Sequence, residues 1–137
     1  MSMKRIKRMI PIVLSALMCA GCTAAQSSEN VTYRQISMAE AVAMMKEEQN
    51  YIILDVRTAE EFAERHIPNA MNIPNEDIGT DEISALPDKD QLILVYCRSG
   101  RRSKLAAEKL VTLGYTNVVE FGGINDWTSE TVSGSNQ

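Results

Sequence analysis

Two apolar runs constrain this chain more than any other feature of it. "YIILDV" (51–56) and "QLILVY" (91–96) are continuous and rich in β-branched residues, without the polar alternation of a strand that has one wet face. Such strands need cover on both faces, which a sheet obtains when helical crossovers pack on either side of parallel strands. Helical patterns are present between the strand patterns. Ser37 caps "MAEAVAMMKEE", whose Ala39, Val42, Ala43 and Met45 roughly fit one face, and Thr58 with Glu61 has capping-box spacing for "AEEFAER". A weak helix is expected from Glu76 to Leu86, closed by Pro87. "RRSKLAAEKLVTLG" places Leu105, Ala106, Lys109, Leu110 and Leu113 at helical spacing, with Gly114 suited to its C-terminal cap. "VTYRQIS", "AMNIP" and "NVVEF" read as further short strands, and "GGINDWTSE" as a turn into a final helix. The alternation predicts one α/β domain with a parallel sheet and helices on both faces. In such sheets ligands bind beyond the carboxyl ends of the strands. Asp55 with Arg57, and Cys97, occupy those places.

The N-terminus follows other rules. Lys4, Arg5, Lys7 and Arg8 precede an apolar run from Met9 to Met18 that ends in small residues. This is the order of a secretory signal, and the run is shorter than the roughly 20 residues that span a bilayer. The "AGC" ending at Cys22 resembles a bacterial lipoprotein box, with Cys19 where that box normally has leucine. The expected organisation is a signal peptide over 1–21, a lipidated N-terminus and polar tether over 22–31, a folded domain over 32–130 and a disordered tail over 131–137. Two acyl chains at Cys22 would anchor the protein stably in the bacterial cell envelope, outside the cytoplasm; without lipid it would be secreted or periplasmic.

Cleavage sharpens the charge balance. The first 21 residues hold four of the 14 basic residues and none of the 18 acidic ones, which leaves 10 against 18. An acidic surface of this kind argues against nucleic acid as a partner. Yet five of those ten bases (Arg98, Arg101, Arg102, Lys104 and Lys109) lie in one short stretch directly after Cys97. A strand ending at Cys97 and a helix opening a few residues later leave backbone N–H groups unpaired around an anion-sized hollow. Gly100 lets such a loop curl, and Arg98, Arg101 and Arg102 add permanent charge. These effects favour thiolate over thiol and point to a nucleophile. His66, the chain's one histidine, reads as a structural residue in the turn before Pro68, and the cysteine and histidine content lacks metal-ligand spacing.

Three ordered blocks carry a resemblance. "YCRSGRRS" resembles the active-site loop of the single-domain rhodaneses, "LDVRTAEEFAERHIPNAMNIP" their first block and "GGINDW" their closing block. The likeness covers about residues 32–128. It implies a five-stranded parallel sheet, no cofactor or metal, and sulfur transfer through a persulfide on Cys97. The donor would be a small sulfur anion such as thiosulfate, or a persulfide, and the acceptor a thiol or cyanide. Arg98, Ser99, Gly100, Arg101, Arg102 and Ser103 would form the binding loop, with Asp55 and Arg57 in support, in a monomer. Arg65 and Asn69 stand where the family usually has glycine. Asn69 tolerates the left-handed backbone that such a turn needs. Two alternatives remain open. One is a sulfur carrier or binding module with incidental turnover. The other is a phosphatase or arsenate reductase of related fold, whose loop places arginine six positions after cysteine, where this chain has Ser103.

Overall fold

The computed structural model describes residues 32–135. Its strands β1 (Arg34–Gln35), β2 (Tyr51–Asp55), β3 (Met71–Asn72), β4 (Leu92–Cys97) and β5 (Val118–Gly123) form one sheet in the order β1-β5-β4-β2-β3, and every neighbouring pair is parallel. The helices are α1 (Met38–Glu47), α2 (Ala59–Glu64) and α3 (Arg101–Thr112). The two apolar runs are neighbours at the centre, and all six residues of β4 are buried.

The period of two along β4 divides the core. Ile93, Val95 and Cys97 face α3 and pack with its Ala106, Ala107 and Leu110, while Leu94 and Tyr96 face the side that holds Ala41 of α1, Ile53 and Phe121. Cys97 therefore belongs to the face that α3 covers. Burying a side chain of leucine or isoleucine size is worth about 1.5–3 kcal/mol, so the two faces of β4 carry much of the fold's stability.

Both expected caps form, and each closes as a capping box. Ser37 Oγ accepts from the Glu40 backbone N–H at 3.2 Å while the Glu40 carboxylate accepts from Ser37 N–H at 2.7 Å, and Thr58 with Glu61 repeats the arrangement. Asn69 adopts φ 66°, as its side chain allows.

Several local expectations are corrected. α1 buries Ala41 and packs with Met38, Met44 and Met45, leaving Ala39 and Ala43 exposed. Its sequence is apolar almost all round, so the reach of the methionines selects the inward face. On α3, Ala107 rather than Leu105 joins the buried stripe, and Leu105 is 43% exposed. The helix expected from Glu76 to Leu86 is a single 3₁₀ turn over Asn75–Asp77 followed by irregular chain, held by the buried side chains of Ile78 and Leu86. Gly79 and a run of turn-forming residues supply too little local propensity for a helix. The final helix is likewise one 3₁₀ turn, Ile124–Asp126. The tail does not fray from residue 131: His66 and Val132 exchange backbone hydrogen bonds at 2.8 and 2.9 Å, and Gly134 N–H donates to the Ala63 carbonyl at 2.9 Å.

The α1 cap lies far from Cys97 in the chain and is a clean probe of local stability. Ser37→Ala should lower the unfolding free energy by about 1 kcal/mol, read as an earlier urea midpoint with an unchanged slope.

Candidate active site

Strand β4 delivers Cys97 to the carboxyl edge of the sheet, and after three intervening residues α3 begins. Gly100, at φ 107°, makes the reversal between them, a conformation that side chains rarely tolerate. The curl turns backbone N–H groups onto the sulfur, with Gly100 N–H 3.0 Å from Sγ. In the neutral form the thiol donates to Ser103 Oγ at 3.4 Å. Burial pushes the Cys97 thiol up, but hydrogen bonds to the thiolate from the Ser103 hydroxyl and from the N–H groups of Ser103, Gly100 and Ser99 outweigh it. The thiol therefore lies below its ordinary value.

Strand β5 supports the loop from behind. The β4–β5 register shifts between Val95, opposite Glu120, and Cys97, opposite Gly123, so β5 bulges beside the reactive sulfur. A Cβ on Gly123 would run into the carbonyl of Arg98 and the nitrogen of Ser99. The Arg98 carbonyl also accepts from Asn125 N–H at 3.2 Å. Buried Glu120 accepts from Gly122 N–H at 2.8 Å and lies 2.6 Å from the Ser103 hydroxyl, which ties the start of α3 to β5.

The arginines are arranged differently from the expectation that their charge makes the thiolate. Arg102 spends its guanidinium on Glu61 of α2, at 2.7 and 2.9 Å, and so clamps the loop to a neighbouring helix. Hydrogen bonding from Arg102 in turn holds the Glu61 carboxyl down at about 2. Among the described residues the side chains of Arg98 and Arg101 make no hydrogen bond or ion pair, and both are exposed.

Asp55 and Arg57 form a buried ion pair at the end of β2. The Arg57 guanidinium grips the Asp55 carboxylate at 2.6–3.1 Å and donates to the Arg65 carbonyl at 2.7 Å. Asn72 donates to both their carbonyls, so the pair fixes the segment after β2. His66 is buried, with Nδ1 2.7 Å from the Phe62 carbonyl and its ring stacked on Phe62 at 3.7 Å. Trp127 packs against the core on the α1 side. Cys22 lies outside the described residues.

Three site residues escaped sequence reasoning. Glu61 was legible as a cap but not as the partner of Arg102; the same carboxylate serves Thr58 N–H and Arg102. Gly123 stood inside a recognised block without a role. Glu120 had a usable signal, a single charge inside an apolar strand run.

A buried, hydrogen-bonded cysteine in a curled loop at the head of a parallel α/β sheet defines a thiolate enzyme whose site is ringed by backbone donors. Residues 37–130 match the rhodanese-like domain, and the chain belongs to that family as a rhodanese-type sulfurtransferase. It is 38% identical over 81 residues to the thiosulfate sulfurtransferase PspE of Escherichia coli, across 59% of this chain and 78% of that protein. The thiosulfate sulfurtransferase GlpE of Coxiella burnetii is 35% identical over 96 residues, or 69% of this chain and 87% of that one. The crystal structure of a rhodanese-like domain protein from Staphylococcus aureus superposes with a TM-score of 0.64 at 31% identity, covering 74% of this chain and 99% of that one.

The Arg102–Glu61 clamp has a pH signature. The folded Glu61 carboxyl is depressed from the ordinary 4.5 to about 2. Its contribution is therefore complete above pH 4.5 and is lost as pH falls toward 2. Thermal unfolding of wild type and Glu61→Gln should differ by on the order of 1 kcal/mol at pH 6 and converge by pH 2. A gap that stays constant over this range would remove the ion pair as its cause.

Proposed function

We propose that the protein moves a sulfane sulfur from an anionic donor such as thiosulfate, or from a persulfide, to a thiophilic acceptor through a persulfide on Cys97. The observation that carries this reading is the ring of backbone donors on Sγ, with Gly100 N–H at 3.0 Å. The Cys97 thiolate attacks the outer sulfur of thiosulfate, a sulfur–sulfur bond forms, and sulfite leaves with the electron pair of the bond that breaks. No general acid is needed, because sulfite is stable as released. The terminal sulfur of the new persulfide carries the negative charge, and the loop N–H groups that held the thiolate are placed to hold it. A thiol or cyanide then takes that sulfur and returns Cys97 as thiolate, which completes a two-step covalent cycle. Arg98 and Arg101, whose guanidinium groups have no partner among the described residues, serve the donor's charge, while Arg102, engaged with Glu61, holds the loop in shape.

The phosphatase and arsenate reductase reading has less support. Six positions after Cys97 stands Ser103, buried and held between Gly100 and Glu120, so no guanidinium closes the ring at that point. Cys97→Ser should abolish thiosulfate-to-cyanide transfer with the fold intact by circular dichroism. Wild type incubated with thiosulfate should gain the mass of one sulfur atom on the Cys97 peptide. Transfer that survives Cys97→Ser sinks the mechanism.

The same reading places the protein in the bacterial envelope, with Cys22 as the lipid-bearing first residue of the mature chain. In detergent phase partitioning the wild type should enter the detergent phase and Cys22→Ala the aqueous one. Aqueous partitioning of both leaves simple export.

A further inference from the structure

A cavity of about 240 Å³ opens beside the cysteine loop, walled by Arg57, Glu61, Glu64, Arg65, Arg98 and the segment that follows β5. It is joined to the loop at two points: Arg98 directly follows Cys97, and Glu61 is the residue that holds Arg102. Two of its five charges are already matched. Arg57 is committed to Asp55, and Glu61 to Arg102. Arg65, Arg98 and Glu64 remain, with no partner for their side chains among the described residues. Two free cations and one free anion therefore share the walls of one small space.

The two cations spring from fixed backbone. The Arg98 carbonyl is pinned by Asn125 N–H and abuts Gly123. The Arg65 carbonyl accepts from Arg57, and the next residue pairs with Val132. At Arg65 the backbone is extended (φ −165°, ψ 145°), which any residue adopts, so the turn itself does not call for arginine. This leaves its guanidinium to account for, and the free charges in the cavity do so. Paired guanidinium groups suit a carboxylate, and Glu64 suits an ammonium. Thiosulfate fits poorly, since a compact dianion offers nothing to Glu64.

We propose that this cavity binds the α-amino-acid end of a small organic persulfide, of the cysteine-persulfide type, and so selects the donor. Arg65 and Arg98 receive its carboxylate and Glu64 its ammonium. The inference deepens the sulfurtransferase reading and rests on it. With the amino-acid end seated, the Cys97 thiolate attacks the outer sulfur of R–S–SH. The Cys97–S bond forms, the inner sulfur–sulfur bond breaks, and R–S⁻ leaves with its electron pair. The proton stays on the transferred sulfur or passes to R–S⁻. No oxidant or reductant is consumed.

Transfer should be measured from cysteine persulfide, from cysteamine persulfide, which lacks the carboxylate, and from N-acetylcysteine persulfide, which lacks the ammonium. Wild type should favour cysteine persulfide over cysteamine persulfide by about tenfold in kcat/KM, mainly through KM, as expected for one charge-assisted contact. Arg65→Ala should bring that ratio toward one, and Arg65→Lys should keep part of it. Glu64→Gln should erase the preference for cysteine over N-acetylcysteine persulfide. Equal use of the donors by wild type, or equal losses on all of them in Arg65→Ala, overturns the proposal. Calorimetric titration of Cys97→Ser with S-methylcysteine separates the two readings. Binding that Arg65→Ala removes supports the subsite even if no transfer occurs, whereas absence of binding counts against the subsite and leaves sulfur transfer standing.

Discussion

The site depends on one interaction, the convergence of loop N–H groups on a sulfur atom that is almost fully removed from water. Burial alone would keep Cys97 a neutral thiol, since a desolvated charge is costly. The hydrogen bonds reverse that sign, with Gly100 N–H at 3.0 Å. Everything around the loop serves to hold those donors in place. Gly100 supplies the left-handed turn, Gly123 withholds a side chain where the Arg98 carbonyl must pass, and the bulge in β5 brings that glycine opposite Cys97. A dipole array fixed in advance loses no energy to rearrangement when negative charge develops on the sulfur it surrounds.

The surrounding charges divide into those that build and those that remain free. Arg57 and Arg102 each have a carboxylate partner and act as struts, one fixing the segment after β2 and the other joining α3 to α2. Arg98, Arg101 and Arg65 have none among the described residues and are exposed. A cation already paired offers little to an incoming anion, so recognition falls to the unpaired ones. The positive charge after Cys97 thus falls into two groups, one built into the architecture and one left unpaired among the described residues.

Behind the loop, Ser103 ties α3 to β5 on the buried side of the cysteine, through the Glu120 carboxylate and the Gly122 carbonyl. A carboxyl at 3% exposure is tolerated because Gly122 N–H and the Ser103 hydroxyl both meet it. Ser103 is within reach of Sγ, Glu120 and the Gly100 carbonyl together, so its hydroxyl can turn from the carboxyl to the sulfur when the thiol ionises.

By itself the sequence determined the parallel sheet, the two buried central strands, the N-caps Ser37 and Thr58, and the cysteine loop between a central strand and a helix. These follow from local quantities: the period of apolar residues, the three-residue spacing of a cap, and the placing of glycine and arginine after one thiol. The inward faces of α1 and α3 were less legible, because alanine and methionine occur all round α1 and only packing decides which of them the sheet receives. The segment from Glu76 to Leu86 carried a faint helical pattern, yet Ile78 and Leu86 reach the core along an irregular path. The partners of the arginines were not legible at all. Glu61 and Arg102 are 41 residues apart in the chain, as distant as contacts between β2-side and β4-side elements require. Arg65 and Arg98 reach one cavity by the same folding. Local sequence spacing decides how each segment is shaped and where the cysteine loop falls; only the tertiary fold decides which charges cancel, because that depends on distances the chain sets after its strands have paired.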